Sequence, residues 1–289
     1  MQQSDSFRAM DTDVDVIAGL AAATDAPFAQ VRALFEEQEQ RFSRFREGSL
    51  LSRLNRGESV SDPQFLRCCE KALEAWEFTR GLFNPMVLPA LARAGYERTF
   101  AEVAGGRPSA GEAPSPAACL AFAGRGVRLR SGALDLGGIA KGWTVDLAVT
   151  LLGERCTDVL VNAGGDMRCS GGEEGLRGWL VGVEGREGGA AWEGRLEGAL
   201  ATSTTAKRRW TAAGGEMAHH LIDPRSGLPA DSPYEQVSAM AKETWVAECW
   251  AKAALIGGEE AAGRAAKAVD GLLAIGIGAE VRRWGRFAG

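Results

Sequence analysis

Apolar and polar residues alternate at period two between positions 11 and 20, with Val14 and Val16 set against Asp13 and Asp15, which predicts a half-buried first strand. The period then lengthens. Asp25, Ala26 and Pro27 supply a cap and an early proline, and Val31, Leu34, Phe35 and Phe42 follow at helical spacing through Phe45. A second helix opens in the same way at Asp62-Pro63 and runs through Leu66, Ala72, Leu73 and Trp76 to Gly81. Between the two, Ser49 to Asn55 reads as a short amphipathic turn. Pro85 and Pro89 stand four apart in Phe83-Asn84-Pro85-Met86-Val87-Leu88-Pro89, which predicts an ordered loop rather than a regular helix, leading into Ala94-Gly95-Tyr96. Residues 104–117, rich in Gly, Pro, Ser and Glu, predict an exposed loop.

Strands are predicted at 126–131 and 133–137, and the second enters the stretch Leu134 to Asp146. There an apolar run is broken by Gly137 and Gly138 and resumes at helical spacing to Leu152, which reads as strand, tight turn and helix. The glycine pair permits positive φ or close approach of a ligand, and the amides of the turn are potential donors to an anion such as phosphate. Asp135 and Lys141 flank the same glycines, an arrangement that a plain strand-to-helix connection with a surface ion pair would also give. Val159 to Asp166 is a buried strand running into a second glycine turn that carries a carboxylate. Further strands are predicted near 178–184, 195–201 and 236–241, and a hairpin over 208–222 around Gly214-Gly215. Helices at 244–256 and on to 268, then strands at 271–278 and 280–287, close the chain. Strands and helices mix without strict β-α-β alternation, so the expected fold class is α+β, as one large domain over residues 1–289.

The chain has 289 residues, 45% of them hydrophobic, enough for a sizeable core. A net charge of −5 argues against nucleic acid or an anionic membrane as partner, so a phosphate-bearing ligand needs local positive charge. The run Lys207-Arg208-Arg209, after the hydroxyl-rich Ala201-Thr202-Ser203-Thr204-Thr205, is a candidate phosphate cradle or else a solvated basic loop. No run approaches the roughly 18 apolar residues of a membrane helix, and residues 1–6 lack the basic and apolar regions of a signal peptide. The expectation is a cytoplasmic protein without membrane insertion. Six cysteines without C-x-x-C pairing suggest neither a zinc site nor a disulfide framework, and read as small buried hydrophobes.

Only two histidines occur, adjacent in His219-His220-Leu221-Ile222-Asp223-Pro224-Arg225-Ser226-Gly227. In a strand their side chains face opposite sides, so at most one enters a given site. The helix from Thr244 to Leu255 is apolar nearly all round, with Glu248 and Lys252 as its only charges. At i and i+4 they form a favourable pair, and on a buried helix such a pair points to a polar cleft.

Taken together, these stretches resemble the ApbE family of FAD:protein FMN transferases, in the family's order along nearly the whole chain. Ala9-Met10-Asp11-Thr12 resembles its Met-Gly-Thr, and Arg41 to Asn55 its F-S-x-[YF]-x-x-x-S-x-x-x-x-L-N. Phe83-Asn84-Pro85 resembles F-D-P, Asp135 to Asp146 resembles D-L-G-[GA]-I-A-K-G-x-x-V-D, Asn162 to Asp166 matches N-A-G-G-D, and His220 to Gly227 matches H-x-I-D-P-[RK]-[ST]-G. The resemblance implies an ApbE-like, T-fold-like arrangement of mixed sheets and helices. It also implies attack by a threonine hydroxyl of a target flavoprotein on the FMN-side phosphorus of FAD, with release of AMP. It makes His220 the catalytic base, and Met10, Phe45, Ala94, Gly95, Tyr96, Asp135, Lys141, Thr202 and Ser203 the FAD-contacting positions. It implies Mg²⁺ on the Gly138 carbonyl and on two side chains of the late helix, an Asp and a Thr in the family, where this chain has Glu248 and Lys252. A lysine ammonium cannot ligate, so either the metal site is altered or Lys252 replaces the metal. Thr204 stands where the family commonly has Gly. Beside the transferase, an FAD pyrophosphatase stays open because both need the same cradle, and a non-catalytic FAD-binding protein is favoured by Lys252 and opposed by His220.

Overall fold

The computed structural model describes residues 2–20, 24–103, 105–173 and 175–289. Its centre is an eight-stranded antiparallel sheet whose strands lie side by side in chain order. They are β1 (Gln2–Ala9), β2 (Thr12–Gly19), β3 (Val159–Ala163), β4 (Asp166–Ser170), β5 (Gly198–Thr204), β6 (Tyr234–Ala241), β7 (Gly271–Gly276) and β8 (Val281–Gly285). The longer helices are α1 (Ala26–Phe42), α2 (Pro63–Phe78), α3 (Ala140–Gly153) and α4 (Thr244–Ala268). The fold class is α+β, as expected.

Period-two patterning decides which face each strand side chain covers. Val14, Val16 and Ala18 of β2 and Val159, Val161 and Ala163 of β3 pack against Phe28, Val31 and Phe35 of α1 and Val145, Ala148 and Leu152 of α3. The intervening Leu160, with Met167, Met240 and Leu273, faces the opposite layer, a hairpin of Trp179–Glu184 and Ala190–Leu196. Strands β6 and β7 turn Val237, Ala239, Leu272 and Ala274 onto α4. All six cysteines are buried and free.

Several expectations are corrected. Strand β1 has only Phe7 and Ala9 as apolar residues in its C-terminal half and no hydrophobic alternation to announce it. It forms because β2 offers a full ladder and Phe7 sets its ring edge-on to Phe35, centroids 5.5 Å apart. Helix α1 stops at Phe42, because Ser43 is extended, and this turns Arg44 and Phe45 inward. The two prolines do not exclude helix. Each sits in a first turn, where its missing N–H costs nothing, and they open a 3₁₀ turn at Pro85–Val87 and a short helix at Leu88–Arg93. No strand forms at 133–137. The Asn55 side chain takes the place of a strand partner, donating to Leu134 O at 2.9 Å and accepting from Leu134 N at 2.8 Å. Asp135 N then donates to Pro85 O. Position 104 of the expected loop lies outside the described residues. The rest of that loop is pinned, Gly111 N to Ser226 O and Ala113 N to Pro224 O, before a helical turn at Pro116–Cys119. Late in the chain, α4 bends at Gly258, which separates its two helical segments as the pattern predicted.

Helices α3 and α4 cap one another. The buried Asp146 carboxylate of α3 accepts from Thr244 N (2.9 Å) and Trp245 N (3.1 Å), free amides that begin α4, and from the Thr244 hydroxyl (2.9 Å). In return, Glu248 Oε2 of α4 accepts from Gly142 N, in the first turn of α3, at 3.0 Å. Gly142 is required there, since a Cβ would lie 2.9 Å from the Thr244 carbonyl carbon and Trp245 N. Removing the Asp146 carboxylate strands these donors and the Arg168 guanidinium, 3.0 Å away. Asp146→Ala is therefore expected to cost about 3 kcal/mol of stability, read from urea unfolding midpoints. A loss below about 1 kcal/mol, the worth of an exposed cap, would show that the capping is peripheral.

Candidate active site

The α3–α4 junction, the β1–β2 turn, the chain after α1 and the end of β5 surround one cavity of about 560 Å³. Of the positions singled out in the sequence, it is lined by Met10, Phe45, Tyr96, Asp135, Gly138, Lys141, Thr202, Ser203, His220, Glu248 and Lys252. Ala94 and Gly95 are not on its wall. The buried Ala94 carbonyl already accepts Trp210 Nε1 at 2.8 Å and Gly106 N at 3.1 Å, so this pair acts from behind, holding the segment that presents Tyr96. Of the basic run, Lys207 and Arg208 reach the wall and Arg209 does not.

The acid–base pairs differ from the simplest sequence expectation. Asp135 and Lys141 do not pair with each other. Lys141 Nζ contacts Asp166, the buried carboxylate that closes the β3–β4 glycine turn. Burial pulls the Lys141 ammonium down to about 8. Glu248 opposes this while Lys252 and Arg208 add repulsion. The Asp166 carboxylate in contact also works against burial and holds the charged form. Asp135 turns the other way, accepting from Gly137 N at 2.7 Å and standing 3.6 Å from Arg44 Nε. The Gly137 amide is therefore taken internally, and neither Gly137 nor Gly138 has positive φ.

Three charged wall residues, Arg44, Asp11 and Asp166, were given no role from the sequence. The Arg44 guanidinium lies against two neighbouring rings, 4.3 Å from the Phe45 centroid and 4.4 Å from that of Tyr96. Its Nη1 donates to Tyr96 O, while Nη2 is buried without a partner among the described residues. Asp11 in the β1–β2 turn accepts from Arg8 at 3.1 Å and from Arg208 at 3.3 Å, steering Arg208 over the cavity. Met10 and Asp11 both have positive φ, 51° and 57°, the geometry of a two-residue hairpin that glycine or asparagine would adopt with less strain. Asp166 was visible as the last residue of Asn162-Ala163-Gly164-Gly165-Asp166. Arg44 and Asp11 had no local signal beyond their place inside motifs.

The two histidines are distinguished by their hydrogen bonds. His219 is fully engaged: Nε2 faces Ala230 O at 3.2 Å and Nδ1 accepts from Leu221 N at 3.3 Å. His220 faces the cavity, with Nδ1 3.4 Å from Arg208 O. A carbonyl only accepts, so Nδ1 carries the proton and Nε2 keeps its lone pair for the cavity. Burial, then the charges of Arg208 and Lys252, push His220 down to about 3, against the bond to Arg208 O. His219 is also lowered, by burial.

Both folded histidines thus titrate below their unfolded value near 6.5. As pH falls below that value the unfolded chain binds more protons, so stability is full above it and is lost progressively in the acid range. The expected decline reaches at most about 1.4 kcal/mol per pH unit and per group. His220→Gln should flatten the fall in urea midpoint between neutral pH and pH about 5, and an unchanged slope would show that His220 is not held neutral.

Comparison with known proteins was made against this geometry. The sequence pattern of the ApbE family matches residues 10–284. An FAD:protein FMN transferase of Treponema pallidum is 28% identical over 278 residues, covering 83% of this chain and 74% of its own. One of Klebsiella pneumoniae is 29% identical over 121 residues, 40% of this chain and 36% of its own. The ApbE protein of Thermotoga maritima superimposes with a TM-score of 0.90 at 23% identity, covering 100% of this chain and 98% of its own. The flavin transferase ApbE of Vibrio cholerae does so with a TM-score of 0.76 at 22% identity, covering 98% and 96%.

Proposed function

The chain belongs to the ApbE family, and from that membership and the cavity we propose that it transfers FMN from FAD to a threonine hydroxyl of a target flavoprotein, releasing AMP. The observation that carries this reading is His220, whose free Nε2 opens into the same cavity as Arg208, Lys141 and Lys252. Phosphoryl transfer needs a positioned hydroxyl, a base for its proton and cations on the phosphates.

Threonine Oγ attacks the FMN-side phosphorus, and its proton passes to His220 Nε2. The anhydride bond to the AMP phosphate breaks, and AMP leaves with the bridging oxygen and its electron pair. An imidazole titrating near 3 is a weak base in the empty cavity. The pyrophosphate of FAD brings negative charge against Arg208 and Lys252 and offsets the electrostatic part of the depression, the smaller part beside burial. Phe45 and Tyr96 offer rings to the isoalloxazine, and the unpartnered Arg44 Nη2 a donor to one of its carbonyl oxygens. Thr202, Ser203 and Met10 line the same cavity and are available to FAD.

The direct test is incubation with FAD and a threonine-bearing acceptor domain, following in-gel flavin fluorescence of the acceptor and released AMP. FMN and AMP without labelled acceptor would make the protein an FAD pyrophosphatase instead. His220→Ala is expected to lose about 10² to 10⁴ in transfer rate while FAD affinity is kept. A larger loss in His219→Ala would overturn the assignment of the base. FAD should bind more tightly than FMN, because the cations face two phosphates, and equal quenching titrations would contradict that.

A further inference from the structure

The metal site implied by family membership can be tested on the groups that would form it. Gly138 O already accepts from Lys252 Nζ at 3.1 Å. Glu248 is 4% exposed, its Oε2 accepts from Gly142 N, and its Oε1 stands 3.7 Å from the same ammonium. A Cβ on Gly138 would lie 2.7 Å from Lys252 Nζ, so the lysine end packs directly against the glycine. Among the described residues no three His, Cys, Asp or Glu side chains converge on a possible ion position. Mg²⁺ demands six oxygen ligands near 2.1 Å and sheds its water reluctantly. Here the carbonyl is engaged by a cation, one carboxylate oxygen caps a helix, and the third position carries a positive charge. The residues present do not fit a divalent ion.

We propose that the Lys252 ammonium is the resident cation of this site and that the chain binds FAD without a divalent metal. The argument rests on FAD being the substrate. Among the described residues Nζ makes one hydrogen bond, to Gly138 O, and lies at ion-pair distance from Glu248, which leaves donor capacity for the cavity that Lys252 lines. A phosphate oxygen arriving there meets a charge-assisted donor instead of a metal. Lys141 and Arg208 flank the same space, each held by one carboxylate, Asp166 and Asp11, as Lys252 is by Glu248, so three cationic donors stand at the cavity without an added ion. In the transfer step the ammonium stabilises charge on the departing AMP oxygen and keeps its own proton. Lys252 is thereby a catalytic residue of this chain.

The test measures FAD affinity by fluorescence quenching in EDTA and in millimolar Mg²⁺, and Mg²⁺ binding alone by calorimetry, on the full-length protein and on Lys252→Thr. The unaltered protein is expected to show the same FAD affinity in both buffers and no calorimetric Mg²⁺ binding. Lys252→Thr, which restores a hydroxyl ligand, should lose about 10- to 100-fold in FAD affinity in EDTA, the worth of a charge-assisted hydrogen bond, and recover with Mg²⁺. A loss of about tenfold or more in FAD affinity on chelation of the unaltered protein, or saturation by micromolar Mg²⁺, would overturn the proposal even if the variant fails to fold. Metal-independent FAD binding without transfer to any threonine acceptor would leave this inference standing and overturn the transferase reading. No FAD binding in either buffer would overturn both.

Discussion

The cavity depends on the exchange of carboxylates between α3 and α4. Asp146 satisfies the opening amides of α4, and Glu248 satisfies an amide in the opening turn of α3. Each helix thus supplies what the other's N-terminus lacks, at the end where the macrodipole favours negative charge. Because both caps are buried, neither helix can slide or rotate without exposing an unpaired charge. The strand-borne groups are hung on this frame: α3 carries Lys141 to Asp166 in the β3–β4 turn, and α4 carries Lys252 to Gly138, just before α3 begins.

The same frame explains how a protein of net charge −5 presents cations to a ligand. Among the described residues every cation on the wall has an acid partner: Lys141 has Asp166, Arg208 and Arg8 share Asp11, Arg44 has Asp135, Lys207 has Glu184 and Lys252 has Glu248. The strain at Met10 and Asp11 fits this purpose. A glycine at position 11 would relax the turn but leave Arg208 only the backbone carbonyl there as a partner, and the Arg208 charge lines the cavity and also depresses His220. The charge presented to the cavity and the protonation of His220 are therefore coupled through one guanidinium.

Much of this was legible in the chain. Period-two strands, helical runs and six ordered motifs located β2, β3, β6, both halves of α4 and eleven wall positions. What was not legible has a common cause, the replacement of local signals by distant partners. Strand β1 exists through its ladder with β2, not through its own residues. The run at 133–137 has strand propensity, but the Asn55 amide, far away in sequence, satisfies its backbone first. Asp135 and Lys141 looked like a pair because they flank the same glycines, yet the hairpin turn delivers Asp166 to the lysine and the chain after α1 delivers Arg44 to the aspartate. Proximity along the chain was a poor guide to charge pairing. Motif membership was a better one, because a motif records the finished site.

Positions 138, 248 and 252 illustrate that difference. Read separately, a turn glycine and an i,i+4 ion pair worth a few tenths of a kcal/mol are unremarkable features. In the folded protein they are one steric and electrostatic unit. The missing Cβ at 138 leaves the space that Nζ fills, the carbonyl of 138 fixes that nitrogen, and Glu248 balances its charge while capping α3. Glu248 can serve both tasks because its two oxygens point to different partners, and its longer side chain, compared with an aspartate, lets it reach Gly142 from α4. Substituting any one of the three disturbs the other two: a side chain at 138 displaces the ammonium, a neutral residue at 252 leaves the buried Glu248 carboxylate without its countercharge, and loss of Glu248 frays α3 where Lys141 begins its reach to Asp166. The Lys252 ammonium that lines the cavity is thus held by the same contacts that join the two helices, and its position is as rigid as their packing.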